Sequence, residues 1–183
     1  MFDNVFVLGT GRCGTASFIE ACKHITNYTS GHETLSRVLG RERFMYPAKH
    51  IEADNRLSWL LGQLNFFYGD DAFYIHLKRD PEKVAYSFMK RFKGRGSIIR
   101  AYAEGVKKTP PRKFSKDEKL QICHDYINTI TSNIDFFLKD KPNHMVMQLE
   151  HIETTFPLFW ERIGAEGSIE AALSEFSTAY NAS

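Results

Sequence analysis

Gly9-Thr10-Gly11-Arg12-Cys13-Gly14-Thr15-Ala16-Ser17 is the stretch on which the reading of this chain turns. It follows Val5-Phe6-Val7-Leu8, a short apolar run that suits a buried parallel strand over residues 4–8. It opens a segment, 15–24, in which Ala16, Ile19, Ala21 and Cys22 recur at helical spacing. The glycines therefore occupy a strand-to-helix turn. Amide N–H groups at a helix N-terminus, backed by the helix dipole, make an anion site, and glycines let the chain approach the ligand closely. A bare turn without a ligand is the plainer alternative. Read literally, Gly9, Gly11 and Gly14 spell the dinucleotide pattern GxGxxG, and Glu33 lies about 20 residues on, where an acid would hold a ribose. Against that stand the bulky Arg12 inside the turn and the lack of a second half with repeated βα units. A nucleoside-triphosphate loop fits less well, because Thr15 occupies the lysine position and Ala16 the magnesium-binding hydroxyl position.

Outward from this loop, strands alternate with helices. Short strands are expected at 27–30, 49–53, 72–77 and 145–149, and helices at 33–39, 57–67, 81–92 and 117–138. A shorter helix is expected at 97–106 and a last one at 154–163, interrupted early by Pro157. The strand at 72–77 runs into Lys78-Arg79-Asp80-Pro81, where Pro81 suits the first helical position and Asp80 its N-cap. This pattern predicts a single α/β domain over 1–183, a three-layer α/β/α sandwich around a mostly parallel sheet. The composition, 43% hydrophobic and 25% charged with a formal net charge of +2, is that of a globular chain. Cys13, Cys22 and Cys123 form no CxxC pair, so free thiols in a reducing compartment are expected. Asp3 stands where a signal peptide wants positive charge, and no stretch approaches the roughly 20 apolar residues of a membrane span, so the chain reads as cytoplasmic.

Arg12-Cys13-Gly14-Thr15, a basic residue followed by a small residue, Gly and Thr, resembles the first signature of the sulfotransferases that use 3′-phosphoadenylyl sulfate (PAPS) as donor. The second segment, Arg79-Asp80-Pro81-Glu82-Lys83-Val84-Ala85-Tyr86-Ser87-Phe88, resembles their second signature, an arginine after a strand with a serine eight positions later on the next helix. The resemblance implies a P-loop-like sulfotransferase fold and a small member of the bacterial or carbohydrate type. It implies that Arg12 faces the oxygen bridging phosphate and sulfuryl group, and that the amides of Cys13, Gly14, Thr15, Ala16 and Ser17 hold the 5′-phosphate, with Gly11 in the same donor-binding loop. Arg79 and Ser87 would bind the 3′-phosphate, by a planar fork and a hydroxyl. The sequence departs from the family at Ala16, where many members have a second Thr; Ser17 is the nearest hydroxyl that could replace it. Donor PAPS, product adenosine 3′,5′-bisphosphate (PAP) and no metal are implied. The histidines are scattered without ligand spacing.

The proton of an acceptor hydroxyl or amine needs a base. Gly31-His32-Glu33, just past the second strand, supplies Glu33 as first candidate and His32 as second, with His50 as a third. Glu33 also has a purely structural reading, as an acid at a helix start. Residues 91–116 carry nine Lys and Arg against the single acid Glu104, and form either a solvated loop or, over 93–116, a lid for the donor's phosphates. A small-molecule or carbohydrate acceptor is expected, and no nucleic acid, since no recognition module accompanies the charge. The competing functions are an NAD(P)-dependent oxidoreductase using GxGxxG and Glu33, and a catalytically degenerate nucleotide-binding module.

Overall fold

The computed structural model describes residues 2–92, 94, 96–109 and 113–177. In chain order the elements are β1 (Asn4–Leu8), α1 (Thr15–Cys22), β2 (Thr29–His32), β3 (His50–Ala53), α2 (Leu61–Tyr68), β4 (Phe73–Lys78), α3 (Pro81–Arg91), α4 (Ile98–Ala101), α5 (Lys116–Leu138), β5 (His144–Gln148), α6 (Ile152–Ile163) and α7 (Ile169–Ser174). The strands form one sheet in the order β2-β3-β1-β4-β5. Every pairing is parallel, with Val5 opposite Ile51 on one side and opposite Phe73 on the other.

The two faces of the sheet follow from the alternation of side chains along each strand. Val5 and Val7 of β1 and Phe73, Ile75 and Leu77 of β4 pack with Phe18 and Ile19 of α1, Phe156 and Phe159 of α6, and Ala172 of α7. Phe6 and Leu8 of β1 and Tyr74 of β4 point the other way, onto Leu64 of α2, Val84 and Phe88 of α3, and Tyr126 and Ile130 of α5. The result is the expected three-layer α/β/α sandwich. Because β1 feeds a helix on one face and its neighbour β4 feeds a helix on the other, the two loops part above the sheet and leave a crevice at the strand ends.

Some local expectations fail for identifiable reasons. Residues 33–39 are turns rather than a helix: Glu33 takes φ 55°, outside the helical region, and the Thr34 N–H donates to the buried Glu52 carboxylate at 2.7 Å. The second strand sits two residues later than expected, at Thr29–His32. The helix expected over 57–67 is split into a 3₁₀ turn at Asn55–Trp59, capped by the Asp54 side chain, and α2. Pro157 does not interrupt α6, because Ile152, Phe156, Phe159 and Ile163 keep one buried face across it and outweigh the lost hydrogen bond. Helix α7 was not anticipated; it is six residues long, with its N-cap made by Ser168 accepting from the Ala171 N–H. The expected helix at 97–106 is present as α4 followed by a wide π turn at Tyr102–Val106. Of the basic segment, Lys93, Arg95, Pro110, Pro111 and Arg112 lie outside the described residues. What is described there is anchored, with Ile99, Tyr102 and Ala103 buried and Tyr102 hydrogen-bonded to Asp125 at 2.5 Å. No helix among the described residues is long and apolar enough to cross a membrane.

Candidate functional site

The loop between β1 and α1 is wound in an unusual way. Gly11, Arg12 and Gly14 all have positive φ, at 82°, 61° and 94°. For Arg12 that is a left-handed conformation that a side chain makes unfavourable, and such residues concentrate at ligand sites. Gly14 is the N-cap of α1; no side chain caps this end, and the first turn carries no acid. The helix therefore presents its leading amides without a carboxylate competing for them, which is the requirement for anion binding. A Cβ on Gly14 would stand 2.7 Å from the Leu149 side chain, so glycine is demanded by space as well as by φ.

Contacts from two elements hold the loop. Ser58, in the 3₁₀ turn after β3, donates to the Gly9 carbonyl at 3.1 Å and accepts the Gly9 N–H at 3.4 Å. Tyr126 of α5 donates to the Thr10 carbonyl at 2.8 Å. The Asn55 side chain lies against Gly11. Cys13 is buried behind Gly9, and that burial pushes its thiol up to about 11.

Arg12 reaches across the crevice, and its Nε donates to the Ser87 hydroxyl on α3 at 2.8 Å. Arg79, at the end of β4, donates from Nη1 to the Arg12 carbonyl at 3.2 Å. The structure thus brings Arg12, Arg79 and Ser87 to one place, although 75 residues separate Arg12 from Ser87. Burial, then the nearby Arg91 and Arg79, lower the Arg12 pKa. A cluster of guanidinium groups on uncapped amides favours an anion of more than one charge. Asp80 caps α3 as expected, accepting the Lys83 N–H at 2.9 Å. Beside the crevice, a cavity of about 490 Å³ lies between the ends of β4 and β5, α3 and α5; Thr10, His76, Arg79, Asn128, Gln148 and Glu150 are among the residues lining it. His76 is buried and pushed down to about 4, first by desolvation and then by Lys78, against the opposing pull of Asp135, whose carboxylate is 2.9 Å from Nδ1.

Along the β2–β3 edge the candidate bases are differently placed and engaged: His32 and Glu33 lie at the carboxyl end of β2, whereas His50 starts β3 opposite Thr29. His32 Nε2 is 3.0 Å from the Thr15 hydroxyl, at the start of α1. Glu33 pairs with Arg56 at 2.7 Å. His50 is buried with both ring nitrogens occupied, by Thr29 at 2.8 Å and by Glu52 at 3.0 Å. Asp54 is fully buried against Arg43, and burial raises its pKa. Sequence reasoning missed Asn55, Ser58 and Tyr126, whose contacts with the loop leave no local signature. Among the described residues no group of three or more His, Cys, Asp or Glu side chains is placed to hold a metal ion.

The sequence matches no family model and no curated protein. Solved structures do match. The sulfotransferase domain from the curacin biosynthetic pathway superposes with a TM-score of 0.64 at 10% identity, over 98% of this chain and 79% of that one. Mouse sulfotransferase SULT7A1, complexed with PAP, superposes with a TM-score of 0.60 at 13% identity, over 94% of this chain and 64% of that one. The fold is that of the sulfotransferases. Its strand order also separates it from the dinucleotide-binding sheet, in which the second strand lies beside the first. Here β3 intervenes between β1 and β2, so Glu33 follows the outer strand and not β1's neighbour. A sulfotransferase fold with the Arg12 loop at β1 and Arg79 at β4 is what the two resembling motifs require of each other.

Proposed function

We propose that this chain moves a sulfuryl group from PAPS to a hydroxyl or amine acceptor. The observation that carries the reading is the meeting of Arg12, Arg79 and Ser87 over the uncapped end of α1. One of the solved structures sharing the fold is complexed with PAP, the product such a donor leaves. The donor supplies an activated sulfur–oxygen bond. The chain's residues then have three tasks. The amides from Cys13 to Ser17 receive the 5′-phosphate. Arg79 and Ser87 receive the 3′-phosphate. Arg12 steadies the phosphate oxygen that departs, a charge developing in a partly dry crevice where a fixed cation has most effect. With Ser87 as its partner, Arg12 stands between the two phosphate positions, so one side chain can answer to either.

For the acceptor proton, Glu33 and His32 both stay in play, and each has an observation behind it. Glu33 is partly exposed at the strand end, but Arg56 competes for its carboxylate. His32 touches Thr15 and so lies against the phosphate loop itself. His50, buried with both nitrogens engaged, belongs to the scaffold.

Thermal unfolding with adenosine 3′,5′-bisphosphate and with NAD, followed by turnover with labelled donor, tests the reading. The bisphosphate should stabilise the fold, by about 2.7 kcal/mol at a hundred times its Kd, and NAD should not. Stabilisation by the bisphosphate without any transfer to a broad acceptor panel would favour the degenerate binding module.

A further inference from the structure

The cavity beside the crevice holds a polar atom that has no partner among the described residues. We propose that this cavity is a second ligand site, for a neutral molecule rich in hydroxyl groups and about the size of a monosaccharide. The proposal goes beyond sulfuryl transfer and does not rest on it.

His76 lines the cavity and is only 1% exposed. Its Nδ1 is 2.9 Å from the Asp135 carboxylate, which also accepts from the Lys78 ammonium at 3.1 Å. A carboxylate only accepts, so Nδ1 carries the ring's proton and Nε2 keeps a lone pair, with burial as the first cause of the ring's neutrality. Nε2 meets no hydrogen-bond partner among the described residues. It is not sealed away either: among the described side chains, the nitrogen that is both sealed and unpartnered is Trp59 Nε1. An unpaired acceptor in a nearly dry place is unfavourable, and an O–H group entering the cavity would satisfy it.

The rest of the lining narrows the chemistry. The charged groups are already engaged: Lys78 with Asp135, Arg79 with the Arg12 carbonyl, and Glu150 with the Asp80 N–H at 3.1 Å and with Lys83. The lining side chains without a partner among the described residues carry no fixed charge: Asn128 and Thr131 of α5, Gln148 of β5, and His151. Asn128 and Thr131 follow one another along one face of α5, which Asp135 continues. Buried Val84 and Ile127 add an apolar wall. The volume of about 490 Å³ far exceeds the roughly 30 Å³ of a water molecule and falls in the range of small-molecule sites. Apolar surface beside uncharged donors and acceptors matches a sugar ring, with its C–H face and hydroxyl edge. An anion would instead meet the carboxylates of Asp80 and Glu150.

The cavity is distinct from the crevice. Arg79 lines both, but Arg12, Ser87 and the residues from Cys13 to Ser17 do not line the cavity. It also stands on the β4–β5 side of the sheet, whereas His32 and Glu33 lie at the end of β2 on the other side. Its ligand is therefore not the acceptor that those two groups would deprotonate.

The test is saturation-transfer NMR with glucose, galactose, N-acetylglucosamine and myo-inositol as probes, without and with saturating adenosine 3′,5′-bisphosphate. At least one probe should bind the wild-type chain, and the bisphosphate should not displace it. Thr131→Val and Asn128→Leu should each weaken that probe about 2- to 10-fold, the worth of one hydrogen bond. His76→Asn, which keeps an N–H for Asp135 but lacks Nε2, should do the same. Ser132→Ala, on the same helix but outside the lining, should change nothing. The proposal is overturned if no probe binds, if Thr131→Val and Asn128→Leu both leave the affinity unchanged, or if the bisphosphate displaces the probe. A chain that binds a probe but not the bisphosphate would contradict the sulfuryl-transfer reading alone.

Discussion

The crevice between β1 and β4 and the edge formed by β2 and β3 are built on different principles. In the crevice, like charges are gathered: Arg12 and Arg79 meet at Ser87, on a backbone in which Arg12 itself has φ 61°. At the edge, opposite charges are matched, Glu33 with Arg56 and Asp54 with Arg43, and the Glu52 carboxylate hydrogen-bonds His50. On the proposed function, ligand binding falls to the first region and scaffold to most of the second, with His32 and Glu33 on the boundary.

The comparison can be broken by exchanging the two kinds of effect. The largest stability loss should come from the edge. Asp54→Ala strands Arg43 in the interior and should destabilise by about 3–5 kcal/mol in urea unfolding, far more than any crevice substitution. Arg12→Ala should do the reverse. It should lower kcat by about 10²–10³, the effect of removing one preorganised charge, while leaving the urea midpoint nearly in place. Equal unfolding losses from the two variants would erase the distinction.

A third prediction concerns the cavity beside the crevice. His76 has its folded pKa lowered to about 4, so below the ordinary value near 6.5 the unfolded chain binds the proton more readily. Stability contributed by neutral His76 is thus complete above about pH 6.5 and is lost as pH falls toward 4, by an amount on the order of 3 kcal/mol. His76→Gln should flatten that part of the profile. Smaller again is Gly14→Ala, which places a Cβ 2.7 Å from Leu149 at φ 94° and should cost more than about 1 kcal/mol together with nucleotide binding. Smallest in stability is Glu33→Gln, whose partly exposed ion pair with Arg56 is worth about 0.2–1 kcal/mol. Its activity is the sharper readout: donor binding should persist and turnover should fall if Glu33 is the base. Near-normal kcat would move the assignment to His32.

How far the sequence could be read follows the range of the interactions. The segments around Gly9 and Arg79 were legible because their signals are local: an apolar run ending in glycine, and Asp80-Pro81 opening a helix. The same locality misled at 33–39, where Glu33 takes φ 55°, outside the helical region, and Thr34 N–H instead bonds the distant Glu52 carboxylate. The convergence of Arg12 with Ser87 was expected only through family resemblance, as two roles at opposite ends of one nucleotide. The direct bond between them is a tertiary fact. The supports from Ser58, Asn55 and Tyr126 could not be read at all, since a serine or tyrosine that bonds a distant carbonyl looks like any other in its own segment.

The most direct test is a crystal structure with adenosine 3′,5′-bisphosphate bound. The 5′-phosphate should rest on the amides that open α1, and the 3′-phosphate should touch Arg79 and Ser87. A nucleotide bound elsewhere, with Arg12 still closed on Ser87 and neither phosphate in the crevice, would contradict the account.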